Sequence, residues 1–452
     1  MIEPTAYHID WIYEVERNLG KKKFDPKLIE KVIYALVFLE QLKLNGLDFI
    51  FKGGTALLLA TKEPKRFSID IDIITEQSQK EIEAILEKIS KESVFTHWED
   101  DNNRKHTPDA PIGHFKMFYA SNVDGNVEPI LLDILYTPNP YPKIMEIPIE
   151  HDWIQTTGTI TTVSMPTFDA ILGDKLTAFA PKTTGILYSK NRPVEIIKQL
   201  FDVSFLMDNM SDLNVVRNSY NKVVDEEIKF RKLEVSANQV LEDTQEACYV
   251  LATRETKSEE FKHLQLGISN FTNFTISRFN IDEAITAASK TAYLSEVLKK
   301  EKIASLEKYS NPQQVKDYIL EQPLETRLNK LKKSNPEAFF YWYIALMLPT
   351  QKELAINSKE NSALKTAIRY YQSRHSYVSD DIILSIIGKL NDDIVFILNL
   401  QELNYLLRIL EDNINHIKKT DYPGLSKEYI ESRRKENLEP LISMQNKASG
   451  FN

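Results

Sequence analysis

FKGGTALLLATKEPKRFSIDIDIIT, Phe51 to Thr75, places a glycine pair before an apolar run, then a basic link, then two aspartates one residue apart. LDFIFK (47–52) reads as a short strand, Gly53-Gly54 as a tight turn, and Thr55 to Ala60 as the start of a helix. A glycine pair at that junction lets backbone N–H groups approach a phosphate, and the helix N-terminus adds partial positive charge. A simple turn explains the pair equally well. From Phe67 to Ile74 the residues alternate, with Ser68, Asp70 and Asp72 on one face and Ile69, Ile71 and Ile73 on the other. Carboxylates at i and i+2 of a strand stand roughly 6–7 Å apart on one face and repel each other. A pair of divalent cations removes that penalty, and Mg2+ takes oxygen ligands together with substrate phosphates. A solvated strand face accounts for the spacing, though not for both polar positions being acids.

Outward from this stretch the chain continues to alternate strands and helices. Asp25 caps and Pro26 opens a helix whose apolar stripe runs through Leu28, Ile29, Val32, Ile33 and Leu36, and Asn45-Gly46 closes it. Ser78 and Glu81 form a capping box for EIEAILEKIS. Strands are predicted at His114–Ala120 and Ile130–Tyr136. The order strand, helix, strand, helix, strand, strand predicts a small mixed α/β sheet. Asp133, the lone acid in ILLDILY, is a candidate third carboxylate, because such acids are rarely buried unless paired or metal-bound, the alternative being an acid at the sheet edge facing solvent.

From Thr167 the pattern turns helical. In FDAILGDKLTAFA, Lys175 falls within the stripe of Phe168, Ile171, Leu172, Leu176 and Phe179, so it either snorkels at the core edge or faces a cleft holding an anion. Asp202 lies one turn after Lys198, and an i,i+4 ion pair is an adequate account of it. Lys182, Lys190 and Arg192, in the link between these helices, suit a phosphate, an RNA backbone or plain solvent.

Composition narrows the classes. At 452 residues the chain is too long for one ordinary core. The expected organisation is an α/β core over 1–165, a helical extension over 166–210, and an α-helical domain over 211–452. Nine of 13 glycines and 13 of 19 prolines precede residue 210, which matches a turn-rich first half and long helices after it. The longest apolar run, FFYWYIALMLP (339–349), is about half a membrane span. Its aromatic block reads as core, because a stacking platform needs basic neighbours. The N-terminus carries acids where a signal peptide would be basic, which argues for a cytoplasmic protein. A single cysteine, Cys248, excludes an internal disulfide and suits a reducing compartment. The eight histidines show no zinc-ligand spacing, and with a net charge of −9 any nucleic-acid contact must come from a local patch.

Taken together, GGT-A-L followed by R-F-S-I-D-I-D resembles the nucleotidyltransferase superfamily with a DNA polymerase β-type core. Within it the pattern is similar to the AbiEii/AbiGii toxin family of bacterial abortive-infection and toxin–antitoxin systems. The matching positions are Gly53-Gly54, Arg66 to Asp72, Lys175 in GDKLTAFAPKTTG, and Asp202 in IIKQLFD, within residues 25–210. The resemblance implies an α/β nucleotidyltransferase core followed by a largely α-helical C-terminal region. It implies two Mg2+ ions held by Asp70, Asp72 and Asp133, and an NTP seated by Gly53, Gly54, Thr55, Arg66, Ser68 and Lys175, with Asp202 also in the active site. It further implies a cytoplasmic phage-defence toxin with a cognate antitoxin and an acceptor such as the 3′ end of tRNA. A protein or small-molecule hydroxyl is the alternative acceptor, and a non-catalytic scaffold is the alternative class.

Overall fold

The computed structural model describes the chain apart from residues 21–22, 105–109, 301–302, 304, 322–323, 349–351, 376–379, 391–394, 399, 421–422 and 450–452. Pro349, the end of the longest apolar run, lies outside the described residues. Contacts divide the chain into two compact units. The first comprises Met1–Tyr309 with Lys330–Tyr341, and the second Ser310–Asn329 with Trp342–Asn452.

The first unit is built on a mixed seven-stranded sheet of β1 (Ile50–Lys52), β2 (Ile71–Ile74), β3 (Phe95–Asp100), β4 (Ile112–Ala120), β5 (Val127–Leu135), β6 (Ile144–Pro148) and β7 (Thr162–Pro166). The strand order is β3-β4-β5-β2-β1-β7-β6. β1 runs antiparallel to β2, and β2 runs parallel to β5. β4 and β5 form a nine-residue antiparallel hairpin around Asp124-Gly125, a dipeptide that suits a tight turn. The paired acids, expected on a strand from Phe67, sit at its very start, since β2 begins only at Ile71. Arg66 and Phe67 pair elsewhere: Arg66 bridges to Thr275, and Phe67 N–H donates to Phe274 O at 2.8 Å. A competing long-range partner thus shortens the strand.

Helices surround the sheet: α1 (Ile9–Asn18), α2 (Pro26–Leu44), α3 (Gly53–Ala60), α4 (Gln79–Glu92), α5 (Phe168–Ala178), α6 (Pro193–Asn209), α7 (Leu213–Arg231), α8 (Ala237–Thr253), α9 (Glu259–Phe271) and α10 (Ile281–Leu298). α11 (Leu331–Ser334) and the start of α12 (Pro336–Met347) complete the unit. The sequence signals place both ends of α2 and the start of α4 within a residue, while α4 runs two residues past the expected end, to Glu92. Asp25 accepts from Lys27 N–H, Gly46 adopts a positive φ of 84°, and Ser78 and Glu81 cap each other. α5 packs closely on α7, where Gly173 leaves no room for a side chain: an added Cβ would lie 2.6 Å from the backbone of Val216 and Tyr220. α5 therefore carries its polar residues into buried surroundings. The FFYWY rings are buried, as a core reading expects.

The second unit has an antiparallel pair, β8 (Lys352–Ala355) with β9 (Val395–Leu398). Its helices are α13 (Ser358–Arg374), α14 (Asp380–Lys389), α15 (Leu400–Lys419) and α16 (Lys427–Ser449). Its core includes Leu364, Ile368, Leu406, Leu410 and Met444. No helix among the described residues is long and apolar enough to cross a membrane.

Candidate active site

Strand register brings the acids together. Asp72 of β2 is the direct neighbour of Asp133 of β5, and on its other side Asp72 faces Lys52 of β1. Asp133 in turn faces His114 of β4. Directly paired residues share a face of the sheet, so Lys52, Asp72, Asp133 and His114 form one row across four adjacent strands. Asp70, just ahead of β2, lines the same cavity as Asp72 and Asp133. The cavity has a volume of about 830 Å³. Gly54, Arg66, Ser68 and Lys175 line it as well, and Asn191, Arg192, Lys198 and Leu266 are among its other lining residues.

Two cationic clusters flank the acids. On one side, Arg66 Nε and Nη2 each donate to Asp202 at 2.7 Å, and Nη1 donates to Phe67 O at 2.8 Å. Lys175 Nζ lies 3.1 Å from the same Asp202 carboxylate and 3.0 Å from Gln199 Oε1. The Arg66 and Asp202 side chains are only 9% and 5% exposed. Burial would raise the Asp202 carboxyl, but Arg66 and Lys175 outweigh it and hold the group below the usual carboxylate range. On the other side, Lys52 Nζ sits 3.2 Å from Asp174 Oδ2, which also accepts from Tyr141 OH at 2.5 Å.

Asp72 shows the cost of this crowding. Burial, then the Asp133 and Asp70 charges, push its carboxyl well up, against the smaller pull of Lys52 and Lys175. A divalent cation relieves that repulsion, and three carboxylates are the hard oxygen donors Mg2+ prefers. Among the described residues, no three His, Cys, Asp or Glu side chains are gathered tightly enough to hold a metal by themselves. Asp70, Asp72 and Asp133 are the residues that could hold such an ion, with substrate phosphates and water as its further ligands.

The structure corrects several expectations. Gly53-Gly54 is the first turn of α3 and forms no separate turn before it. The pair is also needed sterically. Gly53 has a φ of 79°, and a Cβ there would lie 2.1 Å from Asp72 Oδ2; one on Gly54 would lie 2.4 Å from Arg66 Nη2 and 2.5 Å from Ser68 Oγ. Thr55 is fully buried and its hydroxyl donates to Asp70 O at 2.6 Å, so it braces the acid's backbone. Gly53, Thr55 and Asp202 are not among the residues lining the large cavity. Lys198 does not pair with Asp202; it pairs with Glu195 at 2.8 Å and lies over the Phe274 ring. Lys175 faces the cleft, while Lys182 binds Glu246 at 2.5 Å.

Sequence reading missed Lys52, Asp174, Tyr141 and His114. For His114 a signal existed. The Asp124-Gly125 signal between two alternating runs implies a hairpin, but a two-residue turn there would set position 114 opposite 135, and the longer loop after Ala120 sets it opposite 133.

Comparison with known families names the class as a nucleotidyltransferase. A family model described as "Nucleotidyl transferase AbiEii toxin, Type IV TA system" matches residues 37–273, more than half of the chain, and the chain belongs to that family. The match extends past residue 210, through α9 and up to the segment that pairs with Arg66 and Phe67. A Helicobacter pylori structure described as a nucleotidyltransferase aligns over 61% of this chain and 96% of its own, with 14% identity and a TM-score of 0.37. JHP933 from Helicobacter pylori aligns over 62% and 94%, with 15% identity and a TM-score of 0.35. Both likenesses are too distant to add to the family assignment. No curated protein matches the chain.

Proposed function

We propose that the protein transfers a nucleoside monophosphate from an NTP to the 3′ hydroxyl of an RNA, in the manner of tRNA end modification, with release of pyrophosphate. The carrying observation is the register that sets Asp72 beside Asp133 on one wall of the cavity that Asp70 also lines. Asp70, Asp72 and Asp133 would hold Mg2+, which when bound lowers the pKa of the attacking hydroxyl and offsets charge on the leaving pyrophosphate.

The chain's own residues bind and orient. The start of α3 at Gly53-Gly54 offers backbone N–H groups and the positive end of a helix to the triphosphate. Lys175 supplies a cation at the cavity wall, and Asp202 keeps its ammonium from swinging away. Arg66 spends its fork on Asp202 and Phe67 O, so its role is to hold the acidic segment in place and lend long-range positive charge. Transfer is thus a matter of positioning and fixed electrostatics. Arg192, also on the cavity wall, adds positive charge toward an RNA end, while Lys198 on the same wall is paired with Glu195. Family membership makes the protein a toxin of a type IV system, and we take its partner to be a cognate antitoxin protein.

The test is incubation of the full chain with each α-labelled NTP, Mg2+ and total RNA or cell protein, with Asp70→Ala/Asp72→Ala as the control. Label in RNA that is lost in the control is the expected result. Label in protein alone would move the acceptor to a protein hydroxyl, label only in a small-molecule product to a small-molecule hydroxyl, and no label in RNA, protein or a small-molecule product would overturn the transfer reading.

A further inference from the structure

Asp133 sits between two neighbours of opposite effect. Asp72, beside it in parallel register, repels its carboxylate. On the other side His114 lies directly opposite in the antiparallel hairpin, with Nδ1 2.7 Å from Asp133 Oδ1. A carboxylate only accepts, so the imidazole carries its proton on Nδ1 and donates it.

His114 is itself held. Its backbone N–H donates to Asn102 Oδ1 at 2.9 Å, and its backbone carbonyl accepts from Asp101 N–H at 2.8 Å. Asp101 is anchored in turn by Lys116 Nζ at 2.9 Å. The side chain lines the cavity yet is only 15% exposed, so its ring has little freedom. A short bond from a fixed ring to one oxygen sets the plane of the Asp133 carboxylate against the push from Asp72.

We infer that His114 is a positioning residue for the transfer reaction, orienting Asp133 to receive the cation that serves the acceptor hydroxyl. This rests on the reading of Asp70, Asp72 and Asp133 as metal-binding. Groups that orient ligating side chains typically change metal affinity or activity by about 10–100-fold when removed. The loss should fall on one step. NTP binding draws on the start of α3 and on Lys175, whereas the His114 ring bonds Asp133, so kcat should fall while the KM for NTP stays near its original value.

The experiment uses the full chain as wild type, His114→Leu, His114→Asn and Asp133→Asn. Mn2+ binding to the protein in the presence of a non-hydrolysable NTP analogue, which supplies the phosphate ligands, is followed by electron paramagnetic resonance, alongside thermal melting and steady-state transfer. Asn places an N–H donor the same number of bonds from Cβ as Nδ1, so it can restore the bond to Asp133. The expected result is Mn2+ affinity and kcat lowered about 10–100-fold in His114→Leu, largely restored in His114→Asn, with NTP KM steady in both. Wild-type Mn2+ affinity and kcat in His114→Leu would overturn the assignment. So would an equal loss in His114→Asn, which would show that the bond to Asp133 is not what matters. If wild type itself bound no Mn2+, or if Asp133→Asn bound it unchanged, the metal-site reading would fall and take this inference with it.

Discussion

Arg66 and Asp202, 136 residues apart in the chain, are joined by two parallel hydrogen bonds of 2.7 Å in a buried setting. The pair ties the segment leading into Asp70 to helix α6, and Lys175 of α5 shares the same carboxylate. Removing one partner of such a buried pair typically costs about 3–5 kcal/mol, because the other charge is left uncompensated. Asp202→Asn should therefore lower the melting temperature substantially and reduce transfer, through Arg66 and Lys175 losing their anchor. Arg66→Met/Asp202→Leu should recover only part of the stability, because Lys175 stays without its carboxylate, and none of the activity. Thermal melts and transfer assays on the single and double variants check this.

The same carboxylate gives a pH dependence of known sign. Arg66 and Lys175 hold Asp202 below its ordinary range, while Glu195 acts on Arg66 from the same helix. A carboxyl with a depressed folded pKa contributes stability that is present above the unfolded value of about 3.9 and is lost as pH falls through the folded value. The gap in melting temperature between wild type and Asp202→Asn should thus be constant near neutral pH and close as pH drops below about 4. A gap that stays open in acid would show that the pairing charge is not what stabilises.

Gly53→Ala should separate folding from chemistry. A residue with a side chain at its φ of 79° costs about 1–2 kcal/mol. The new Cβ meets the end of the Asp72 side chain, which swings aside more easily than backbone would. The variant should fold and yet lose most of its transfer activity. Gly46→Ala has the same backbone cost at a φ of 84° but meets nothing within 4 Å, so it should keep full activity. Circular dichroism melts with transfer assays distinguish the two.

Asp72→Asn should trade function for stability. The repulsion that Asp72 shares with Asp133 and Asp70 destabilises the metal-free fold. Deleting that charge should stabilise the protein in EDTA by on the order of 1 kcal/mol, while abolishing transfer. Mg2+ with a non-hydrolysable NTP analogue should raise the wild-type melting temperature more than the variant's. A variant that melts no higher than wild type in EDTA would refute the repulsion account.

Local pattern made much of the architecture readable. Asp25, Asn45-Gly46 and the Ser78–Glu81 box mark helix ends because caps act within one turn. Alternation at Phe67–Ile74 and around Asp133 placed acids on one face, since a side chain's side of a strand depends only on its position. The candidate site was readable to the same depth: Asp70, Asp72, Asp133 and Lys175 stand out in the sequence as groups that need a partner.

What the tertiary structure decided is which partners they found. Asp202 looks paired with Lys198 within its own helix, yet its carboxylate crosses to Arg66 and Lys175. Thr55 looks poised for phosphate, yet it turns inward to the Asp70 carbonyl. The row from Lys52 to His114 exists only because strands separated by dozens of residues adopt one register. Sequence by itself determined the faces and ends of elements, which follow from torsions and neighbours a few residues away. Pairings across the sheet and between helices depend on the packing of the whole unit, and no local pattern encodes them.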